Sequence, residues 1–258
     1  MITSTANDHV KYVRSLYRRS VRYGEHMFVA EGLRTVEEAL KAGIQPAFVF
    51  HTPSMLEVPR AGLVLSQALA RGADVQVVID PVMAAMADTV TPSGILAVLP
   101  MPVCNIPRPL TWVLVLDGLR DPGNLGTILR SALAAGVEWV VTTPGTVDVY
   151  GPKVVRSGMG AHFRLALSVD QSWETLAETL AGMSVLLADA HQGSPYWEVD
   201  WRRPTALVVG GEAEGAAPAA NRLATGHVMI PMRQDVESLN AAVAASVLLF
   251  EAVRQRLG

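Results

Sequence analysis

One cysteine, Cys104, in 258 residues excludes an internal disulfide. No apolar run reaches the roughly 18 residues needed to span a bilayer, and Met1 to Asp8 is polar, without the apolar stretch of a signal peptide. The reading is of a soluble, cytoplasmic protein without a membrane partner. Six histidines have no neighbours at metal-ligand spacing, so no metal site is expected. Basic excess is also missing. A net charge of −3 argues mildly against nucleic acid, since strong polyanion binders usually carry surplus cations.

The chain is rich in apolar side chains, at 50% of residues, enough for a sizeable core in one large or two ordinary domains. Pro100 to Pro109 contains four prolines, which block both helix and central strand, and reads as a linker. It separates an N-terminal domain, 1–103, from a C-terminal one, 110–258. In the first, helices are predicted from about Asp8 to Ser20 and Leu33 to Ala42, with β-rich runs at Ala47–Phe50, Val75–Ile79 and Ile95–Leu99. That alternation predicts a small α/β domain.

In the second, strands are predicted at Trp112–Leu116, Trp139–Val141, Val185–Ala188, Leu207–Val209 and Val228–Ile230, with helical stretches between them. Continuous apolar strands of this kind predict a parallel sheet covered on both faces. A last helix, Ser238 to about Arg256, has almost no polar face over its first three turns. It must be covered on more than one side, most simply at a subunit interface.

Three blocks lie where a strand-like run stops or a helix-like run starts, the edge at which α/β domains bind ligands. Asp121-Pro122-Gly123-Asn124 is a turn, with Asn124 suited to cap the helix that carries Arg130. Gly210-Gly211-Glu212-Ala213-Glu214-Gly215 follows a strand, where glycine lets backbone approach a ligand, but it has neither the Gly-x-Gly-x-x-Gly spacing nor a Gly-Lys-Ser/Thr ending. Two glutamates would repel a pyrophosphate and tolerate a cationic ligand. Ile230-Pro231-Met232 offers an apolar slot with exposed carbonyls; beyond it Ser238 can cap the last helix, and Asn240 falls in its first turn. A structural turn explains most of the first block, the other two are equally a plain turn or core edge, and Arg130 alone is more often a surface ion-pair partner. Opposing the net charge, Lys11, Arg14, Arg18, Arg19 and Arg22 lie close together with no acid from His9 to Arg22, and Tyr12, Tyr17 and Tyr23 are interleaved. That pattern suits an RNA surface as well as it suits a solvated helix.

In combination, Asn-Leu-Gly-x-x-x-Arg, Gly-x-Glu-x-x-Gly and Ile-Pro-Met-x-x-x-x-Glu-Ser-Leu-Asn, in that order, resemble the SpoU/TrmH family of RNA ribose 2′-O-methyltransferases in the SPOUT superfamily. Lys153 to Ala161 resembles the segment between the family's first two motifs. Ile2-Thr3-Ser4, Asn7, Val10-Lys11 and Phe28 to Gly32 resemble its ribosomal-protein-like substrate domain. The resemblance implies a small α/β RNA-binding domain, then a SPOUT catalytic domain with a C-terminal trefoil knot, and a homodimer whose two chains build each active site. It implies S-adenosylmethionine held by Gly210, Gly211, Glu212, Ile230, Pro231, Met232, Ser238 and Leu239. Asn124, Arg130, Glu212, Ser238 and Asn240 match the active-site positions, and the basic N-terminal residues would bind RNA, 23S ribosomal RNA rather than transfer RNA. A catalytically inactive RNA-binding protein on the same scaffold is the rival reading. Gly158, Ala216, Gln234 and Ala241 depart from the residues frequent in the family.

Overall fold

The computed structural model describes residues 1–103, 105–211, 215–233 and 236–258. Contacts divide the chain into two units, residues 1–102 with 150–163, and residues 103–149 with 164–258. Among the described residues, no helix is long and apolar enough to cross a membrane.

The first unit contains helices α1 (Asp8–Ser15), α2 (Arg19–Glu25), α3 (Leu33–Lys41), α4 (Pro59–Ala70) and α5 (Asp80–Met86). Its sheet comprises β1 (Met27–Glu31), β2 (Phe48–His51), β3 (Asp74–Val77) and β4 (Ile95–Pro100), ordered β1-β4-β2-β3. β4 is antiparallel to β1 and β2, and β2 is parallel to β3. Val10, Val13 and Leu16 of the first helical segment are fully buried and join a core with Phe50, Val82 and Met86.

The single helix expected from Asp8 to Ser20 is two helices, broken at Leu16. The break has a cause in packing. Arg22 is buried, 4% exposed, and its Nη1 donates to the Leu16 carbonyl at 2.5 Å, while the Tyr17 hydroxyl donates to the carbonyl of Met86 at 2.5 Å. A continued helix would commit the Leu16 carbonyl to its own ladder.

The second unit is built on a seven-stranded sheet in which every pairing is parallel. Its elements are β5 (Trp112–Asp117), α6 (Pro122–Ala134), β6 (Trp139–Thr142), β7 (Leu167–Ser168), α8 (Trp173–Thr179), β8 (Ser184–Asp189), β9 (Ser194–Pro195), β10 (Thr205–Gly210), α9 (Pro218–Leu223), β11 (Gly226–Met229) and α10 (Ala241–Leu257). The order is β7-β6-β5-β10-β8-β11-β9. The five predicted strands are present, β11 starting two residues earlier than expected; the two-residue β7 and β9 are too short to leave a periodic signal. α7 (Pro152–Gly158), between β6 and β7 in sequence, packs against β1 of the first unit.

β5 is buried along its whole length, as are the first five residues of β10. Val113 and Val115 of β5, Val185 and Leu187 of β8, and Ala206 and Val208 of β10 form one apolar cluster with Leu176 of α8 and Ala220 of α9. At about 25 cal/mol per Å² of apolar surface removed from water, such layers supply most of the favourable folding energy. α10 packs against α6 and β10. It leaves Val243 and Phe250 about half exposed, so this apolar helix keeps one face without cover from its own chain.

Candidate active site

The sequence blocks converge at the C-terminal edge of the second sheet. Gly210 ends β10 and Gly211 follows it, Asp189 ends β8, and Ile230 and Met232 follow β11. Together with Ser238, Leu239, Ala244 and Leu248 they line a cavity of about 570 Å³. Six expected ligand contacts therefore share one wall system: Gly210, Gly211, Ile230, Met232, Ser238 and Leu239. Pro231 is exposed and is not part of the lining. Glu212, Cys104 and Gln234 lie outside the described residues.

The glycines have a structural duty that the sequence reading assigned to the ligand. A Cβ on Gly211 would come within 2.5 Å of the Gly118 carbonyl oxygen, and one on Gly210 within 2.4 Å of the Ala216 nitrogen. Backbone is what crowds them. Gly211 and Gly215 also exchange a pair of backbone hydrogen bonds, at 3.2 and 3.0 Å. Asp117, 4% exposed at the end of β5, fixes the start of α9: one carboxylate oxygen accepts from the hydroxyl of Thr143 and the other from the backbone N–H of Ala217, the latter at 2.6 Å.

Two capping expectations change. Asp121, not Asn124, caps α6, its side chain accepting from the Asn124 N–H at 2.7 Å. Asn240, not Ser238, caps α10, its Oδ1 accepting from Ala242 at 2.9 Å and Val243 at 3.3 Å. Ser238 is thereby left to line the cavity. The Asn240 Nδ2 then donates to Asn124 Oδ1 at 2.9 Å, so one amide joins the first and third blocks. Arg130 lies outside the cavity, exposed on α6 with Thr127 and Ala134, and has no ion-pair partner among the described residues.

Sequence reasoning missed Asp189, Gln192, Asn221 and Leu187, all in the cavity wall. The signal was present, because Asp189-Ala190-His191-Gln192 follows an apolar run at the same sheet edge. Burial pushes the Asp189 carboxyl up, but hydrogen bonds from His191 and Gln192 outweigh it and hold the group below the usual carboxylate range.

Residues 111–250 match the SpoU rRNA Methylase family. The chain belongs to that family. Residues 7–97 of this SpoU methylase match the MRM3-like substrate binding domain. It is 36% identical to an uncharacterized tRNA/rRNA methyltransferase of Synechocystis, over 99% of this chain and 94% of the relative. It is 33% identical to the 23S rRNA (guanosine(2553)-2′-O)-methyltransferase RlmP of Bacillus subtilis, over 96% of this chain and 97% of that one. The AdoMet-bound rRNA methyltransferase of Sinorhizobium meliloti superposes on the methylase with a TM-score of 0.87 at 28% identity, covering 100% of this chain and 98% of that one.

The basic segment of the methylase is divided by its fold. Arg14, Arg18 and Arg19 are exposed, and Lys11, also exposed, pairs with Asp8 at 2.9 Å. The guanidinium of Arg19 sits 5.3 Å from the centre of the Tyr23 ring. Arg22 is a correction: it is held inside by the Leu16 carbonyl and presents nothing to an RNA.

Proposed function

We propose that this SpoU methylase transfers a methyl group from S-adenosylmethionine to a ribose 2′-hydroxyl of 23S ribosomal RNA, in the cytoplasm. The observation that carries the reading is the cavity at the β10, β8 and β11 edge, lined by residues from the second and third blocks and tied to the first by the Asn240–Asn124 bond. About 570 Å³ lies within the range of small-ligand sites. Leu187, Val209, Ile230, Leu239 and Leu248 offer apolar walls for an adenine, and among the described residues no lysine or arginine lines the cavity, while Asp189 does. An anionic dinucleotide or triphosphate finds no countercharge there; a cationic sulfonium does not need one.

Gly210, Gly211, Ile230, Met232, Ser238 and Leu239 would hold the donor. When bound, it supplies a methyl on a positively charged sulfur, the electrophile for a ribose oxygen. The protein's task is to position a weakly acidic hydroxyl and to stabilise the negative charge that grows on it. Arg130 takes that role, gripping the adjacent RNA phosphate and screening the developing alkoxide. A guanidinium offers donors and no acceptor, so it can hold a phosphate but does not serve as the general base. Asn124 and Asn240 orient the nucleotide.

A homodimer fits this assignment. Val243 and Phe250 of α10 are uncovered, α6 packs on α10, and Arg130 stands exposed on α6 outside its own cavity, where it can serve a second chain. The C-terminal trefoil knot belongs to the same proposal, as do domain limits near 1–103 and 110–258. Sedimentation at micromolar concentration is expected to give twice the chain mass; an active monomer would refute the shared site.

Calorimetry tests the donor directly. S-Adenosylhomocysteine should bind saturably without RNA, and NAD and ATP should not. Saturable NAD or ATP binding with none of the S-adenosyl ligand would overturn the reading, and binding without methyl transfer to ribosomal RNA would favour an inactive RNA-binding protein.

RNA affinity should come from the first unit. Replacing Arg14, Arg18 and Arg19 by alanine should weaken ribosomal RNA binding and flatten its salt dependence by up to about 0.9 log units per lost duplex phosphate contact, less on single strands. Donor affinity should not change. An unaltered salt slope would mark the three as a solvated face only.

A further inference from the structure

We propose that Asp189 accepts a hydrogen bond from one ribose hydroxyl of the methyl donor and so selects nucleoside ligands that carry it. The inference rests on the methyl-donor reading above and names a residue that none of the three blocks contains.

Strand order supplies the placement. Across the cavity floor the strands run β5, β10, β8, β11, and Asp189 at the tip of β8 is in register with Met229 of β11. On one side of it lie Gly210 and Gly211, towards β5 and the helix bearing Asn124. On the other lies the apolar slot begun by Ile230. With the adenine in that slot and the sulfur towards α6, the part of the donor over the middle strand is the sugar that joins them.

Acceptor capacity supplies the chemistry. Asp189 Oδ1 accepts from the backbone N–H groups of His191 at 2.8 Å and Gln192 at 3.1 Å, closing a turn. Oδ2 accepts from Gln192 Nε2 at 3.0 Å, and His227 Nδ1 stands 3.6 Å away, beyond hydrogen-bond range. A carboxylate offers about four acceptor positions, so three bonds among the described residues leave room for one more donor at Oδ2. The group lines the cavity and stays ionised through the hydrogen bonds it receives. Asp189 is the one carboxylate among the described lining residues, and one such acceptor fits one hydroxyl.

The test pairs a variant with a trimmed ligand. In Asp189→Asn the amide oxygen keeps the turn, since asparagine closes the same kind of turn, while the charged acceptor is lost. By calorimetry, S-adenosylhomocysteine should bind about tenfold more weakly to the variant, the scale of one charge-assisted hydrogen bond. Either its 2′-deoxy or its 3′-deoxy analogue should bind wild type and variant equally. Gln192→Ala, which spares the acceptor, should keep the wild-type preference for the hydroxyl-bearing ligand. If the variant weakens all three ligands by the same factor, Asp189 only shapes the wall and the proposal falls. If wild type binds no S-adenosyl ligand, the methyl-donor reading falls, and this one with it.

Discussion

Arg130→Ala should lose methyl transfer by about 100-fold or more, the scale of a removed transition-state stabiliser, while remaining folded and binding S-adenosylhomocysteine normally. The contrast is sharp because of where Arg130 sits. It is exposed on α6, makes no ion pair among the described residues and touches no cavity wall. Removing an arginine from such a position costs little stability. Any large loss of turnover must then come from contact with the RNA or with a second chain's reacting groups. Arg130→Lys should restore only part of the rate, because an ammonium cannot reproduce a two-pronged grip on phosphate. Single-turnover rates on ribosomal RNA, with thermal unfolding as control, decide the matter. Wild-type turnover in the alanine variant would remove Arg130 from the mechanism and shift attention to Asn124 and Asn240.

Arg256→Ala should produce a large loss of stability with no direct chemical role. The half-buried guanidinium closes the end of α10 onto the sheet: Nε donates to the Trp201 carbonyl at 2.7 Å, and Nη2 to the carbonyls of Thr111 at 2.9 Å and Arg203 at 3.0 Å. It also stacks 4.8 Å from the centre of the Trp112 ring, which meets Trp201 edge-on. Three carbonyls losing their donor, at about 1 kcal/mol each, sum to about 3 kcal/mol. For a protein of this size that lowers Tm by roughly 6–12 °C. Lysine, a point donor, should recover a minority of it. A shift below about 2 °C would show that water replaces the guanidinium at no cost.

Legibility in the sequence followed the length scale of the physics. The buried strands of the second sheet were visible because a parallel strand covered on both faces is a continuous apolar run, as in Trp112 to Leu116. The three blocks were visible because glycine, proline and short polar residues punctuate the ends of such runs. Choices between near-equal local options were not. Asn240 and Ser238 are both good caps; the structure selects Asn240, whose amide can also reach Asn124 across 116 positions of sequence. Arg22 looked like its basic neighbours, and only the chain break at Leu16 turns it inward. Lys153 to Ala161 read as part of the C-terminal domain, yet its helix packs on β1, where Phe28 meets Tyr150 and Phe163. Asp189 escaped because an aspartate after a strand is common, and its value depends on a cavity formed by segments distant in sequence.

Strand order also constrains how the chain is made. β10, the strand joining the two halves of the sheet, spans Thr205–Gly210, yet it lies between β5 and β8, which precede it by about 90 and 20 residues. Until it emerges from the ribosome, β5-β6-β7 and β8 have no common border, and β8 has no partner strand in this sheet, since its other neighbour, β11, is made later still. The second sheet can therefore close only after almost nine-tenths of the chain has been synthesised, when β11 is complete. Until then this half of the protein leaves apolar strand edges open to aggregation, while the first unit's own four strands, all complete by Pro100, are already available to fold.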